Sequence, residues 1–184
     1  MSNLKKWDFI YSSTSDDSHK ISRYGEDLTY LKGWKFLKDC TEIEDWGCGF
    51  GYFSNFVPID RYKGIDGSCS KAASVYADLE EYKSRTSGIF MRHILEHNEN
   101  WEKVLANAIA SFRHRMVLII FTPFADETKQ IGWNPLHEVP NISFKKEDLT
   151  KHFDFLEWEE EEGIKTDTEY GVEHIFYISK HKLW

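Results

Sequence analysis

An acid followed two positions later by three alternating glycines, Asp45-Trp46-Gly47-Cys48-Gly49-Phe50-Gly51, is the segment of this chain whose composition best suits ligand chemistry. Glycine tolerates positive φ and lacks the Cβ that would hold a ligand away from the backbone. A dinucleotide turn reads G-x-G-x-x-G, with the third glycine three positions after the second. Tyr52 occupies that position here, and the glycines follow G-x-G-x-G instead. The preceding acid suits a cationic ammonium group better than a pyrophosphate. A second carboxylate, Asp66, stands 15 residues past Gly51. Downstream, His93-Ile94-Leu95-Glu96-His97 and the isolated His137 bring imidazoles, the side chains whose pKa lies nearest neutrality and which move protons most readily there. His93, Glu96 and His97 lack the converging partners and supporting second layer of a metal centre, so no metal is expected.

The elements that must hold these residues alternate. Tyr30, Leu31, Trp34 and Leu37 recur at helical spacing, predicting a helix over Glu26 to Cys40 in spite of Gly33. Glu42 to Trp46 reads as a strand running into the glycines. A brief helix through Phe53 and Phe56 follows, stopped by Pro58. Strands are expected at Tyr62 to Asp66, Val75 to Leu79 and Ser87 to His93. The clearest helix spans Glu99 to Phe112, with Asn98 as its cap and Trp101, Val104, Leu105, Ala108, Ile109 and Phe112 on one stripe. Met116 to Phe121 is apolar throughout, as a strand covered on both faces would be. Ala125 to Ile142 reads as a long connection, and Ser143 as the cap of a helix to about Phe153. Phe155 to Glu160 and His174 to Ser179 close the sequence of elements, joined across Glu161 to Gly171. The acidic run Glu159 to Glu162 reads as a solvated strand edge that discourages edge pairing. The order implies an α/β, Rossmann-like doubly wound sheet, mostly parallel with an antiparallel C-terminal edge strand. Residues 1–25 read as an N-terminal arm, polar and mobile over Tyr11 to Lys20, and 26–184 as one domain.

Glu44 to Gly51 (EDWGCGFG) resembles the D/E-x-G-x-G-x-G signature of class I S-adenosylmethionine-dependent methyltransferases. Asp66 stands where that family holds the ribose hydroxyls, and HILEH resembles the family's recurrent sequence after its fourth strand. The resemblance covers roughly Glu26 to the C-terminus and implies S-adenosyl-L-methionine as cofactor. It places Gly47, Gly49 and Gly51, with Cys48 and Tyr52 beside them, along the methionine and ribose. It sets Asp45 near the methionine ammonium, Asp66 and Gly67 at the ribose, Asp78 and Leu79 at the adenine, and Arg92 and His93 facing the cofactor from the fourth strand end. One departure is visible: only residues 67–77 separate Asp66 from Asp78, too few for a helix plus a strand. The methyl acceptor's general base, where a hydroxyl requires one, is expected at His93 or His137.

Composition narrows the acceptor. The chain has 184 residues, a formal charge of −8, and 23 basic against 31 acidic side chains with no basic block. Gripping a phosphate backbone requires clustered Lys and Arg, so a long nucleic acid is disfavoured. The aromatic [D/N]-P-P-[Y/F] motif of amino-directed DNA methyltransferases and a Pro-Cys pair are both missing from the sequence. A small molecule or glycan methylated on oxygen is the first expectation. RNA or protein methylation, or a non-catalytic cofactor-binding subunit, are the alternatives. Cys40, Cys48 and Cys69 form no CxxC pair and leave one over, as suits a reducing compartment. No signal peptide and no apolar stretch near the roughly 20 residues of a membrane helix are evident, so a cytoplasmic location is expected. The sequence leaves the oligomeric state open.

Overall fold

The computed structural model describes residues 3–13 and 24–180. Seven strands form one sheet in the order β3-β2-β1-β4-β5-β9-β8. In chain order the strands are β1 (Ile43–Trp46), β2 (Tyr62–Asp66), β3 (Ala73–Tyr76), β4 (Thr86–Arg92), β5 (Phe112–Ile120), β8 (Glu157–Lys165) and β9 (Val172–Ser179). The pairs from β3 through β5 are parallel. β9 runs antiparallel to both β5 and β8. The antiparallel C-terminal strand is therefore present, one place in from the edge, because β8 packs outside it. Glu157, Glu159 and Glu162 are exposed along this outer strand, which also carries an irregularity between Glu161 and Ile164. Charge and a broken register both blunt an edge.

The centre of the sheet is buried on both faces, which explains its unbroken apolar run. Met116, Leu118 and Ile120 point into one cluster with Trp101, Leu105 and Phe176. Val117 and Ile119 point into the other with Leu37, Phe53 and Phe90. Helix α3 (Trp101–Ser111) covers the first face and α2 (Asp27–Leu37) the second. Gly33 belongs in α2 for a packing reason: a Cβ there would lie 2.6 Å from the Phe90 ring, so the missing side chain lets the helix settle on β4.

Several expectations are corrected. The stretch read as a connection from Ala125 to Ile142 contains a two-stranded ribbon, β6 (Lys129–Asn134) and β7 (Val139–Ser143). Ser143 ends β7 and donates its hydroxyl to the Pro123 carbonyl, so it caps nothing; the last helix, α4 (Lys146–Thr150), is preceded by Lys145. Asn98 does not cap α3, whose N-cap is Asn100; its amide donates to the Ile94 carbonyl at 2.5 Å. β3 starts two residues before its expected position and ends at Tyr76. β5 begins at Phe112, directly after α3. Of the segment Tyr11 to Lys20, residues 14–20 lie outside the described residues; Tyr11 to Ser13 close a short helix, α1 (Asp8–Ser13). Among the described residues no helix is long and apolar enough to cross a membrane.

Candidate functional site

The parallel strands all end at one side of the sheet, and a cleft of about 460 Å³ opens there. In doubly wound sheets this is where ligands bind. The glycine turn after β1 forms its floor. Gly47, Gly49 and Gly51 all have positive φ, at 72°, 51° and 73°. Their surroundings differ. A Cβ on Gly47 would lie 2.0 Å from Ile94 Cδ1, and one on Gly51 would lie 2.4 Å from Ala72 Cβ. These two glycines are demanded by packing. A Cβ on Gly49 would meet only the Tyr11 ring, 3.1 Å from its hydroxyl, and Tyr11 itself lines the cleft.

Asp66 ends β2 beside this turn. One of its oxygens accepts the Gly49 N–H at 2.9 Å and the other the Ser68 N–H at 2.8 Å. An ionised carboxylate offers about four acceptor positions, so acceptor capacity remains for a ligand. Burial pushes the Asp66 carboxyl up, and the backbone donors from Gly49, Ser68 and Gly67 oppose that rise. Gly67, Cys48 and Tyr52 also line the cleft. Tyr52 is held by a 2.7 Å hydrogen bond from its hydroxyl to Asp27.

Asp45 does not line the cleft. It is buried under the turn, where Tyr62 donates to it at 2.9 Å. Burial raises its carboxyl to about 7, with the nearby Asp66 charge adding to the rise. Gly51 likewise stands outside the lining, at the start of the 3₁₀ turn Tyr52–Asn55. The connection from β2 to β3 contains no helix, in keeping with the few residues available. Beyond β3, Asp78 and Leu79 nevertheless reach the cleft wall.

At the end of β4, Arg92 and His93 meet Glu173 of β9. The Arg92 guanidinium donates to Thr29 Oγ1, the Tyr30 hydroxyl and the Tyr24 carbonyl, and lies 2.7 Å from Glu173 Oε1. His93 Nε2 lies 2.5 Å from the same oxygen. Glu173 is fully buried, and its second oxygen has no hydrogen-bond partner among the described residues. His93 has φ 58°, a left-handed conformation uncommon outside glycine. Such strain persists only where surroundings enforce it, and it gathers at functional sites. Burial drives the His93 imidazole well below its ordinary pKa, and the Arg92 charge adds to that. The ring is therefore neutral near pH 7. Burial pushes the Glu173 carboxyl up and the Arg92 guanidinium opposes that rise; as a carboxylate it can only accept, which assigns the proton to Nε2 and the lone pair to Nδ1.

Glu96 and His97 are structural in their contacts. Glu96 Oε1 accepts the Phe121 N–H at 2.6 Å, and burial pushes its carboxyl up to about 8. His97 Nδ1 lies 3.0 Å from the Pro140 carbonyl. His137 does not line the cleft; it is buried beneath Trp7, its ring stacked at 3.7 Å and Nδ1 3.2 Å from the Lys6 carbonyl.

The roof comes from the N-terminal arm, which sequence reading did not bring to the site. Asn3, Leu4, Trp7, Ile10 and Tyr11 all line the cleft. Lys5 N–H donates to the Gly67 carbonyl at 2.9 Å, and Trp7 N–H to Ser68 Oγ at 3.1 Å. Asp8 accepts the Cys69 N–H at 2.7 Å. The signal was present: Trp7, Ile10 and Tyr11 sit at i, i+3, i+4, one face of a helical turn.

No family model and no curated protein sequence matches the chain. Solved structures do. The chain is similar to the Burkholderia thailandensis 1,6-didemethyltoxoflavin-N1-methyltransferase, solved with that compound and S-adenosylhomocysteine, at 14% identity and a TM-score of 0.68 over 96% of this chain and 87% of that one. A Synechocystis magnesium protoporphyrin IX methyltransferase with bound S-adenosylmethionine matches at 14% identity and 0.61, over 96% and 90%. An S-adenosylmethionine-dependent methyltransferase from Archaeoglobus fulgidus matches at 16% and 0.59, over 84% and 94%. At such identities the likeness is one of architecture: this chain has the Rossmann-like fold of the class I methyltransferases.

Proposed function

We propose that this chain is an S-adenosyl-L-methionine-dependent methyltransferase that methylates a small molecule on oxygen. The observation that carries the reading is the pairing of Gly49 with Asp66: bare backbone and a carboxylate with unused acceptor positions, bonded together on one cleft wall. That cradle fits a nucleoside. Asp66 holds the ribose hydroxyls, Gly49 lets the ligand lie against the chain, and Asp78 and Leu79 border the adenine. Asp45, buried behind the turn, would act on the methionine ammonium through its charge and not by direct contact. When bound, the cofactor supplies an electrophilic methyl on sulfonium sulfur with a neutral leaving group.

The protein's task is alignment and proton removal. Fixing the acceptor against the methyl accounts for much of the acceleration available to a two-substrate transfer. His93, held through Nε2 by Glu173, takes the acceptor's hydroxyl proton on Nδ1, a contribution of about 10²–10⁴-fold. His137, stacked away from the cleft, has no such part. The small cleft and the arm across it favour a small acceptor over RNA or protein. Calorimetry with S-adenosylhomocysteine tests the reading. The chain should bind it, and Asp66→Ala should weaken binding by at least tenfold, because two hydrogen bonds to a charged group vanish. Unchanged affinity would refute the ribose assignment.

A further inference from the structure

The two halves of the cleft differ in chemistry. Asp66, Asp78 and the glycines gather at the β1–β3 end, with Tyr11, Phe50 and Tyr52 around them. Rings gather at the β4–β5 end, where Phe121 has His93 at 4.7 Å, His97 at 5.5 Å and Tyr24 at 5.8 Å between ring centroids. Trp7 extends this surface from the arm, 5.4 Å from His97. We propose that this half of the cleft binds a small, flat, uncharged aromatic alcohol, with Trp7 as one wall. The inference rests on the methyl-transfer reading for the molecule's role, and deepens it by naming the acceptor's class.

Three observations argue for that class. The first is shape. One face of Trp7 is occupied by His137 and its backbone is pinned to Ser68, so the indole is a fixed wall rather than a swinging one. Fixed π faces and edges accept a flat ring in stacked or edge-on geometry. The second is charge. Among the described residues at this end, Arg92 is the sole cation, and Glu173, Thr29, Tyr30 and Tyr24 already engage it. Glu169 adds a carboxylate at the same end. An anion would meet that charge with no free cation to offset it.

The third is polarity. The amide groups here are largely bonded to protein groups: Asn98 to Ile94, Asn141 Nδ2 to Glu169 and Tyr170, and Asn134 to the backbone of Leu136 and His137; Asn141 Oδ1 is a buried acceptor with no partner among the described residues. A sugar buries many hydroxyls, and each costs free energy when its hydrogen bonds to water are not replaced. A phenol-type ring buries one. Size points the same way, since cofactor and acceptor share a cleft of about 460 Å³, in the lower half of the range of about 300–1,000 Å³ for single small-molecule sites.

The test is calorimetry of the full chain with 2-naphthol, 2-naphthoate and glucose, each with and without saturating S-adenosylhomocysteine. The expected result is 2-naphthol binding with Kd of about 0.1–1 mM, as suits a fragment of that size, with at least tenfold weaker binding of the other two. Trp7→Ala should weaken 2-naphthol about tenfold and S-adenosylhomocysteine less than threefold, with Trp7→Phe restoring most of the loss; thermal unfolding checks that both variants fold. Preference for 2-naphthoate or glucose overturns the proposal. So does silence from 2-naphthol while S-adenosylhomocysteine binds, which leaves the methyl-transfer reading standing. Equal weakening of both ligands by Trp7→Ala also overturns it, assigning Trp7 to the cofactor. Trp7-dependent binding of 2-naphthol without any S-adenosylhomocysteine binding retains the ring site and removes the methyl-transfer reading instead.

Discussion

Asp45 is a buried acid that costs the unliganded protein stability, and Asp45→Asn should reveal how much. Tyr62 donates a hydrogen bond to it at 2.9 Å, and an asparagine carbonyl can accept the same bond. The substitution therefore removes the charge and little else. Burial raises the carboxyl to about 7, against about 3.9 in an unfolded chain. A raised acid binds its proton more tightly when folded, so its contribution is fully present below about pH 4 and is lost as pH climbs through 7. At about 1.4 kcal/mol per tenfold change in proton affinity, the loss across that window is about 4 kcal/mol. The other buried groups titrate in wild type and variant alike: Glu96, raised to about 8, has the same sign, while His97 and His174, each lowered to about 4, lose stability as pH falls. The wild-type minus variant difference isolates Asp45. Urea unfolding at pH 4.5, 6 and 8 measures it, with unchanged m-values as the control. The variant should gain steadily on wild type with rising pH and exceed it at pH 8. A difference that stays constant from pH 4.5 to 8 would refute the reasoning.

Gly49→Val should fold and fail to bind S-adenosylhomocysteine, because its Cβ meets only the Tyr11 ring, 3.1 Å from the hydroxyl, where that ring lines the cleft; the left-handed backbone makes its thermal midpoint fall by several degrees, at about 1–2 kcal/mol for such a residue. Gly47→Val, whose Cβ would enter Ile94, should lose far more stability, and equal midpoints for the two variants would contradict the packing account. Glu173→Gln should lower kcat by tenfold or more and change its pH profile while leaving the cofactor's KM within threefold. It weakens the partner of Arg92 as well, so rates must be compared at temperatures where circular dichroism shows both proteins folded. An unaltered pH profile would remove His93 from proton transfer.

The parts of the fold legible in the sequence are those where one residue pattern had one structural cause. β2 occupies Tyr62–Asp66 as read, and the α3 stripe faces the core because 3.6-residue spacing and burial agree there. The acid–glycine spacing pointed to the ligand side of the sheet because positive φ at Gly49 and the bond to Asp66 are local demands. The ribbon was hidden by punctuation. Gly132, Pro135 and Pro140 read as loop signals, yet Pro140 sits opposite Trp133 on a two-stranded ribbon, where a missing N–H can face outward without breaking a ladder. The outer strand runs past its expected end at Glu160, through Glu161 and Glu162 to Lys165. Their carboxylates are held by Lys32, Tyr177 and Lys146, contacts that only tertiary structure supplies.

The catalytic candidates separate for the same reason. The sequence offers two candidate bases, His93 at the end of its strand and His137 in the long loop after the apolar strand. What distinguishes them is β9, which places Glu173 against His93 from 80 positions away, and the arm, which lays Trp7 over His137. Neither contact has a local signature. An antiparallel strand inserted beside β5 thus does more than finish the sheet. It delivers a fully buried carboxylate to the end of β4, where Arg92 offsets its charge and the strained His93 backbone turns an imidazole to meet it. A fully buried acid with one oxygen lacking a partner is expensive to keep. Its position beside the one cleft-lining histidine of uncommon backbone geometry gives that expense a functional reason, and ties the acceptor end of the cleft to the far side of the sheet.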